Sequence, residues 1–219
     1  ASIMSIEKQI SIIKNEIKGK ADLVAVSKTR TVQEIQEAYN SGQLKFGENR
    51  VQEIVDKQSK LPKNIEWHMI GHLQKNKVKY IAKFINLIHS VDRISLAEEI
   101  DKHAKKENRI IDCLIQLKIS KEESKFGLQI EDFKNFYESL KNYKNLNVIG
   151  LMGMASFTNN NELIDKEFKK IKKIYDKMVL IDERFKVLSI GMSDDYDIAL
   201  ENGANMIRVG SKIFGKRNY

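Results

Sequence analysis

A closed α/β barrel of eight parallel strands is the fold that this sequence of 219 residues predicts. Eight short apolar runs recur along the chain, and a stretch with helical periodicity or a helix-like connection follows each one. Such alternation is typical of a parallel sheet with helical crossovers. Eight units in a chain of this length favour a closed barrel over an open, doubly wound sheet. An amphipathic helix, with Ile6, Ile10, Ile13 and Ile17 on one stripe, precedes the first strand.

The strands are predicted from short runs of apolar residues, many of them β-branched. In chain order these runs are DLVAVS, QLKFGE, IEWHMIG, NLIHSV, IIDCLIQLKIS, LNVIGLMGM, FKVLSIGMS and NMIRVGS. After the first run, Thr31 and Glu34 have the spacing of a helix capping box, and Ser95 and Glu98 repeat it further along. The long helix before the seventh run is predicted from one apolar stripe, formed by Ile164, Phe168, Ile171, Tyr175 and Met178.

Composition and charge restrict the class of protein. With 42% hydrophobic and 31% charged residues and a single proline, the chain is predicted to form one domain over residues 1–219. No apolar run approaches the roughly 20 residues of a membrane span, and the start lacks a signal-peptide pattern. The one cysteine, Cys113, lies in an apolar run and is expected to be buried in a reducing compartment. We therefore expect a cytoplasmic protein.

The net charge of +8 raises the question of a nucleic-acid partner. The lysines, however, are spread along nearly every predicted helix, which is typical of a solvated surface. A nucleic-acid binder would concentrate its basic residues on one face. The charge pattern thus disfavours nucleic-acid binding.

The chemistry of such a barrel lies at the carboxyl ends of its strands. Lys28 follows strand one and shares a face with Val24 and Val26, while Arg208 lies in strand eight on the face of Met206. If these faces point into the barrel, both cations reach its mouth. A lysine beside a second cation in a partly dry site has its charged form disfavoured, and its neutral amine can attack an aldehyde. The alternative is that Lys28 extends from a strand end to water.

A phosphate site is predicted at the last two strand ends. Gly210 and Ser211 follow strand eight directly and open a short helix, whose N–H groups can bind an anion. Ser193 follows strand seven and lies on the same side of the barrel. Alone, RVGS is a weak motif, because the same residues also occur in a plain turn that leads into a terminal helix and binds no ligand. Together with Lys28, these donors predict that the ligand is a phosphorylated aldehyde, which the amine of Lys28 would hold covalently.

Eight motifs at predicted strand ends connect the chain to a known family. They are AVSKTR, FGENRVQE, WHMIGHLQKNK, SVDR, SKFGL, GLMGM, GMSDDYDIAL and IRVGSKIFG. From about Ala21 to Gly215 the chain resembles the pyridoxal phosphate homeostasis proteins, single-domain relatives of the alanine racemase barrel. This resemblance implies the type III fold of pyridoxal phosphate proteins, with an extra N-terminal helix and no C-terminal β domain. It also implies pyridoxal 5′-phosphate (PLP) as the cofactor.

The resemblance implies eight cofactor-binding residues, which are Lys28, Asn49, His68, Met192, Ser193, Arg208, Gly210 and Ser211. The lysine would form the internal aldimine, the arginine would lie against the pyridine nitrogen, and the asparagine would lie near the 3-oxygen. The glycine and the two serines would hold the phosphate, and the histidine and the methionine would line the ring. Lys125 stands where related racemases have an arginine, which leaves its role open.

Other residues near the strand ends are assigned structural parts. Met152 and Met154 are expected to fill the barrel, with Met152 also able to border the ring. Three histidines lack the spacing of zinc ligands, namely His72, His89 and His103. Four acidic residues are expected to cap loops or form ion pairs, namely Glu48, Asp92, Asp194 and Asp195.

An arginine partner for the pyridine nitrogen bears on activity. A guanidinium only donates, so it favours the unprotonated nitrogen and a weaker electron sink. Racemisation needs proton-transfer groups on both faces of a carbanion, and Lys28 is the one candidate that we find in the sequence. Only eight residues follow Ser211, whereas racemases append a β domain that supplies a tyrosine. We therefore expect a non-catalytic monomer that buffers PLP or delivers it to apo-enzymes in transient contacts.

Two other functions stay open at this point. One is a weak racemase-like enzyme that uses the same cofactor, which turnover of an amine substrate would favour. The other is a Schiff-base aldolase that acts on a sugar phosphate without a cofactor. A colourless purified protein would favour the aldolase.

Overall fold

The fold is a closed barrel of eight parallel strands in which β8 pairs with β1. This computed structural model describes residues 5–123 and 126–216. The strands are β1 (Asp22–Val26), β2 (Lys45–Glu48), β3 (Glu66–Met69), β4 (Leu87–Val91), β5 (Ile111–Leu117), β6 (Leu146–Gly153), β7 (Val187–Ser189) and β8 (Met206–Val209). Each of the eight apolar runs contains one of them, which confirms the predicted barrel.

Helices cover the outside of the sheet. They are α1 (Ile6–Ile17), α2 (Val32–Asn40), α3 (Val51–Lys60), α4 (Ile94–Lys106), α5 (Phe133–Leu140), α6 (Asn161–Ile181), α7 (Tyr196–Glu201) and α8 (Ser211–Phe214). A 3-10 helix, Lys75–Tyr80, connects β3 to β4, and a 3-10 turn, Ile130–Asp132, leads into α5. Within the ranges given above, no helix combines the length and the apolar character that crossing a membrane requires.

One predicted capping box is confirmed and the other is wrong. The Thr31 side chain accepts from the backbone N–H of Glu34, whose carboxylate accepts in return from the N–H of Thr31. The second helix, α4, starts at Ile94, so Ser95 lies inside its first turn and cannot cap it. Arg93 precedes the helix in extended backbone, and its guanidinium donates to the carbonyl oxygen of Leu73 at 2.6 Å. That tertiary contact accompanies the earlier helix start.

Two apolar clusters divide the core. The larger lies between sheet and helices and includes Phe46, Trp67 and Phe168. The smaller fills the barrel and consists of Val24, Leu87, Leu114, Ile149, Met152 and Met206. The second set shows which faces of β1 and β8 point inward. The inward face of β8 carries Arg208 two residues beyond its methionine, at the carboxyl end of the strand.

Candidate functional site

A cavity of about 1260 Å³ opens at the carboxyl ends of the strands. Six residues predicted for the site line it, namely Lys28, Met192, Ser193, Arg208, Gly210 and Ser211. Met154, predicted to fill the barrel, also lines the cavity with 41% of its surface exposed, so that prediction is wrong. Met152 is fully buried in the barrel interior, as expected. The cavity thus brings together one amine, one guanidinium and the loops after β7 and β8.

Lys28 lies in the turn that directly follows β1 and is half-buried. The N–H of Ser27 donates to the carbonyl oxygen of Gly47 at 2.9 Å, so β1 and β2 stay paired up to this point. The N–H of Arg30 donates back to the carbonyl oxygen of Ser27 at 3.0 Å and closes the turn. Thr29 adopts a left-handed backbone with φ of 66°. The turn leaves the lysine along the wall of the cavity.

Arg208 is 2% exposed and is held by three hydrogen bonds. Its guanidinium donates to the carbonyl oxygen of Ser189 at 2.8 Å, to the hydroxyl of the same serine, and to the carbonyl oxygen of Gly153 at 3.0 Å. Burial lowers the pKa of Arg208 to about 10, and Asp195 opposes this effect. The side chain therefore stays charged at neutral pH. A guanidinium has five N–H donors, so donors remain for the cavity that it lines.

A chain of hydrogen bonds runs from Arg208 into the barrel, and its direction follows from chemistry. Arg208 can only donate, so the hydroxyl of Ser189 accepts from it and has its own hydrogen left for Nδ1 of His89 at 3.1 Å. We assign this direction, which places the hydrogen of His89 on Nε2. Nε2–H of His89 then donates to Nδ1 of His68 at 2.9 Å. Burial lowers the pKa of His68 to about 3 and that of His89 well below its usual value, so both rings are neutral. Nε2–H of His68 ends the chain without a partner among the described residues.

Two predicted site residues lie away from the cavity wall. His68 is 1% exposed beneath the site and contacts His89 rather than the cavity. Asn49 is half-buried and packs against Gly71, where a Cβ atom would come within 2.9 Å of the asparagine Cγ. Lys125, whose role the sequence leaves open, lies outside the described residues.

The loops after β7 and β8 meet at the side of the cavity. Gly191 has φ of 104°, and a Cβ atom there would lie 2.7 Å from the Cβ of Ala199, so the turn after β7 requires glycine. Asp195 accepts from the N–H of Met192 at 2.7 Å, which confirms the predicted loop cap. The hydroxyl of Ser193 faces the start of α8, whose first N–H groups have no partner within the helix. This arrangement suits an anion.

Sequence reasoning missed Ser189 and His89 as parts of the site. Each is a polar residue on the inward face of an apolar strand, and each is completely buried. That pattern is a signal in the sequence, since a buried polar group needs a partner. The sequence does not reveal which residue is the partner, because β4 and β7 are not neighbouring strands and the two residues meet only across the closed barrel.

Comparisons with known proteins show the family to which the chain belongs. The family model for the alanine racemase N-terminal domain matches residues 2–218. A pyridoxal phosphate homeostasis protein of Aquifex aeolicus (strain VF5) is 40% identical over 204 residues, which are 91% of this chain and 88% of the relative. The chain belongs to the pyridoxal phosphate homeostasis protein family. This confirms the resemblance found in the motifs.

Solved structures within and beyond the family have the same fold. PipY of Synechococcus elongatus PCC7942 without PLP superposes with a TM-score of 0.91 at 32% identity, covering 96% of this chain and all of that one. PipY with PLP bound superposes with a TM-score of 0.88 at 31% identity over the same shares of the two chains. An alanine racemase of Clostridium difficile 630 has a TM-score of 0.83 at 15% identity, and 57% of that chain is covered. The racemase is therefore similar in fold alone.

Proposed function

We propose that this chain binds PLP covalently at Lys28 and acts in PLP homeostasis as a carrier without catalytic turnover. One observation carries the proposal. A single cavity is lined by the amine of Lys28, the guanidinium of Arg208 and the anion-binding loops of Ser193 and Ser211. The family membership and the PLP bound to PipY support the same ligand.

The residues present fit the three polar parts of PLP. When bound, PLP supplies an aldehyde with which a neutral amine condenses, losing water, to form a C=N bond. Lys28 supplies that amine, and it lines the same cavity as the charged Arg208. The spare donors of Arg208 suit an unprotonated ring nitrogen, which accepts a hydrogen bond. The N-terminus of α8 and Ser193 suit the phosphate.

Two features support a carrier rather than a racemase. The charged guanidinium of Arg208 can only donate, and Ser189 and Gly153 fix its position. A donor at the ring nitrogen favours a weak electron sink. Among the described residues, no tyrosine lines the cavity opposite Lys28, whereas the resemblance to racemases implies a tyrosine as their second proton-transfer group. The other titratable side chains of the lining are Lys118, Glu122, Asp194, Asp195 and Lys216. The mouth also carries Met154 and Phe157, exposed by 41% and 90%. An incoming amine, such as the lysine of an apo-enzyme, can reach Lys28 through such a mouth.

The test combines spectroscopy with peptide mapping. The purified protein is incubated with PLP, its visible spectrum is recorded, and borohydride then reduces the C=N bond so that the modified lysine can be located. We expect a yellow protein that is trapped at Lys28, and no trapping in Lys28→Ala. Lys118→Ala is the matched control, because Lys118 lines the same cavity and should leave trapping unchanged. Trapping at another lysine would overturn the site.

The absence of turnover needs a separate assay. The PLP-loaded protein is mixed with L- and D-amino acids, and the enantiomeric composition is followed by chiral chromatography. We expect no change beyond that produced by free PLP at equal concentration. Steady racemisation that disappears in Lys28→Ala would make the chain an enzyme and overturn the carrier proposal.

A further inference from the structure

A cluster of buried charged side chains lies behind the turn that carries Lys28, between the sheet and α3. Nζ of Lys57 donates to Oε2 of Glu48 at 2.9 Å, to Oε2 of Glu53 at 2.9 Å and to the carbonyl oxygen of Ser27 at 2.8 Å. An ammonium has three donors, so all three are used. The hydroxyl of Ser27 donates to the same oxygen of Glu48. We call these four residues the outer cluster.

The outer cluster holds both peptide groups that flank the Cα atom of Lys28. The carbonyl oxygen of Ser27 belongs to the preceding peptide group and accepts from Lys57. The N–H of Thr29 belongs to the following peptide group and donates to Oε2 of Glu53 at 2.9 Å. Because both planes are held from α3, this helix acts together with the hydrogen bond from Arg30 to Ser27 to set the direction in which the lysine side chain leaves the backbone.

Stability alone is a weak reason for such an arrangement. The side chain of Glu48 is fully buried and that of Lys57 is 9% exposed. Desolvation of a buried ion pair often outweighs its attraction, so that apolar residues of similar volume serve a fold equally well or better. One oxygen of Glu48 also lacks a partner among the described residues. The group that this costly cluster positions is the turn of Lys28.

We propose that Lys57 and Glu53 are positioning residues, which aim the amine of Lys28 into the cavity and thereby set how fast it captures and releases an aldehyde. This proposal rests on the proposed function, because it assigns Lys28 as the amine that reacts. Neither residue lines the cavity, so both act through the backbone of the turn.

The experiment measures the rate of C=N formation by stopped-flow absorbance after PLP is added to the PLP-free protein. We expect Lys57→Met and Glu53→Ala to slow the reaction roughly ten- to a hundredfold, because small misplacements of a reacting group have effects of that size. Glu53→Gln keeps an acceptor for the N–H of Thr29 and should restore most of the rate. Lys60→Met is the matched control, since Lys60 is an exposed lysine of the same helix.

A second ligand separates positioning from general damage. Pyridoxine 5′-phosphate carries an alcohol in place of the aldehyde, so it uses the cavity without reacting with Lys28. We expect its dissociation constant to stay within about twofold in Glu53→Ala and Lys57→Met. If Lys57→Met alone is unstable, Lys57→Met combined with Glu48→Gln removes both buried charges and takes its place.

The outcomes distinguish this inference from the proposed function. If wild-type protein traps PLP at Lys28 and the variants react at wild-type rates, the positioning role is wrong and the function stands. If the variants lose affinity for pyridoxine 5′-phosphate as strongly as they lose rate, the cluster is merely structural. If wild-type protein traps no PLP at Lys28, both proposals fall.

Discussion

Two polar networks support the candidate site from opposite sides of the barrel wall. The outer cluster lies between the sheet and α3, where it shares one ammonium between two carboxylates. The interior chain (Arg208, Ser189, His89 and His68) lies inside the barrel, where one guanidinium is followed by three neutral side chains. The first orients the backbone of Lys28 and the second orients the side chain of Arg208. A buried charge can therefore be stabilised either by counter-charges or by neutral hydrogen-bonding groups. The stability of these two kinds of network responds differently to mutation and to pH.

The largest expected effect is the loss of the ammonium from the outer cluster. Lys57→Met leaves Glu48 buried without its counter-ion, and breaking a buried pair in this way destabilises a protein by about 3–5 kcal/mol. Urea unfolding at pH 8, followed by circular dichroism, measures the change. Lys57→Met combined with Glu48→Gln should recover most of the loss. Equal stability of the single variant and the wild type would show that the pair is not needed to hold Glu48.

A smaller effect is expected when the interior chain is broken. Ser189→Ala removes one acceptor of Arg208 and the donor to His89, and unsatisfied buried polar groups cost about 1–3 kcal/mol each. If Arg208 lies beside the ring of PLP as proposed, the absorption spectrum of bound PLP should shift as well, because the guanidinium is less constrained. Ser59→Ala, at an exposed serine, is the control. An unchanged spectrum and unchanged stability would show that the chain does not hold Arg208.

The two networks should respond to pH with opposite signs. The neutral histidines have pKa values below 6.5 in the folded state, so their contribution is complete above pH 6.5 and is lost as the pH falls below it. Burial raises the pKa of Glu48 to about 7, so its contribution is complete below pH 4.5 and is lost as the pH rises to 7. Each group changes the free energy of unfolding by at most about 1.4 kcal/mol per pH unit.

Urea unfolding from pH 5 to 8 separates these contributions. Glu48→Gln should remove the loss between pH 5 and 7 that belongs to the outer cluster. His89→Leu should weaken the fall in stability below pH 6.5. His103→Leu is the control for this variant, because His103 pairs with Glu99 within α4 and is not part of the interior chain. A profile that neither Glu48→Gln nor His89→Leu changes would contradict both assignments.

The smallest effect concerns the turn that the outer cluster holds. Thr29 is β-branched and has φ of 66°, a backbone that costs such residues about 1–2 kcal/mol. Thr29→Gly removes this strain, but glycine gives the unfolded chain more conformational freedom, which lowers the stability by about 0.5–1 kcal/mol. We expect a net gain in stability of up to about 1.5 kcal/mol, measured by thermal unfolding. A loss of stability would mean that the threonine side chain makes contacts that outweigh the strain.

Local pattern was sufficient for the elements and for part of the site. Alternation along β1 and β8 predicted that Lys28 and Arg208 reach one mouth, because side-chain direction in a strand has a period of two. Gly210 and Ser211 were located by the same reasoning, since a helix that starts at a strand end presents its N–H groups there. The capping box at Ser95 failed because a contact of Arg93 with Leu73, 20 residues earlier, accompanies a different helix start.

The amino-acid sequence alone was enough to predict the number and order of the strands and the lysine at the exit of β1. Periodicity and turn chemistry act over a few residues, so they can be read from the chain alone. Two contacts could be found only in the folded chain: Lys57 lies behind Lys28, and Ser189 contacts His89, which is 100 residues away in the sequence. Folding of the barrel brings these groups together. Burial then removes water from them, so their charge states and hydrogen bonds depend on the neighbouring protein groups.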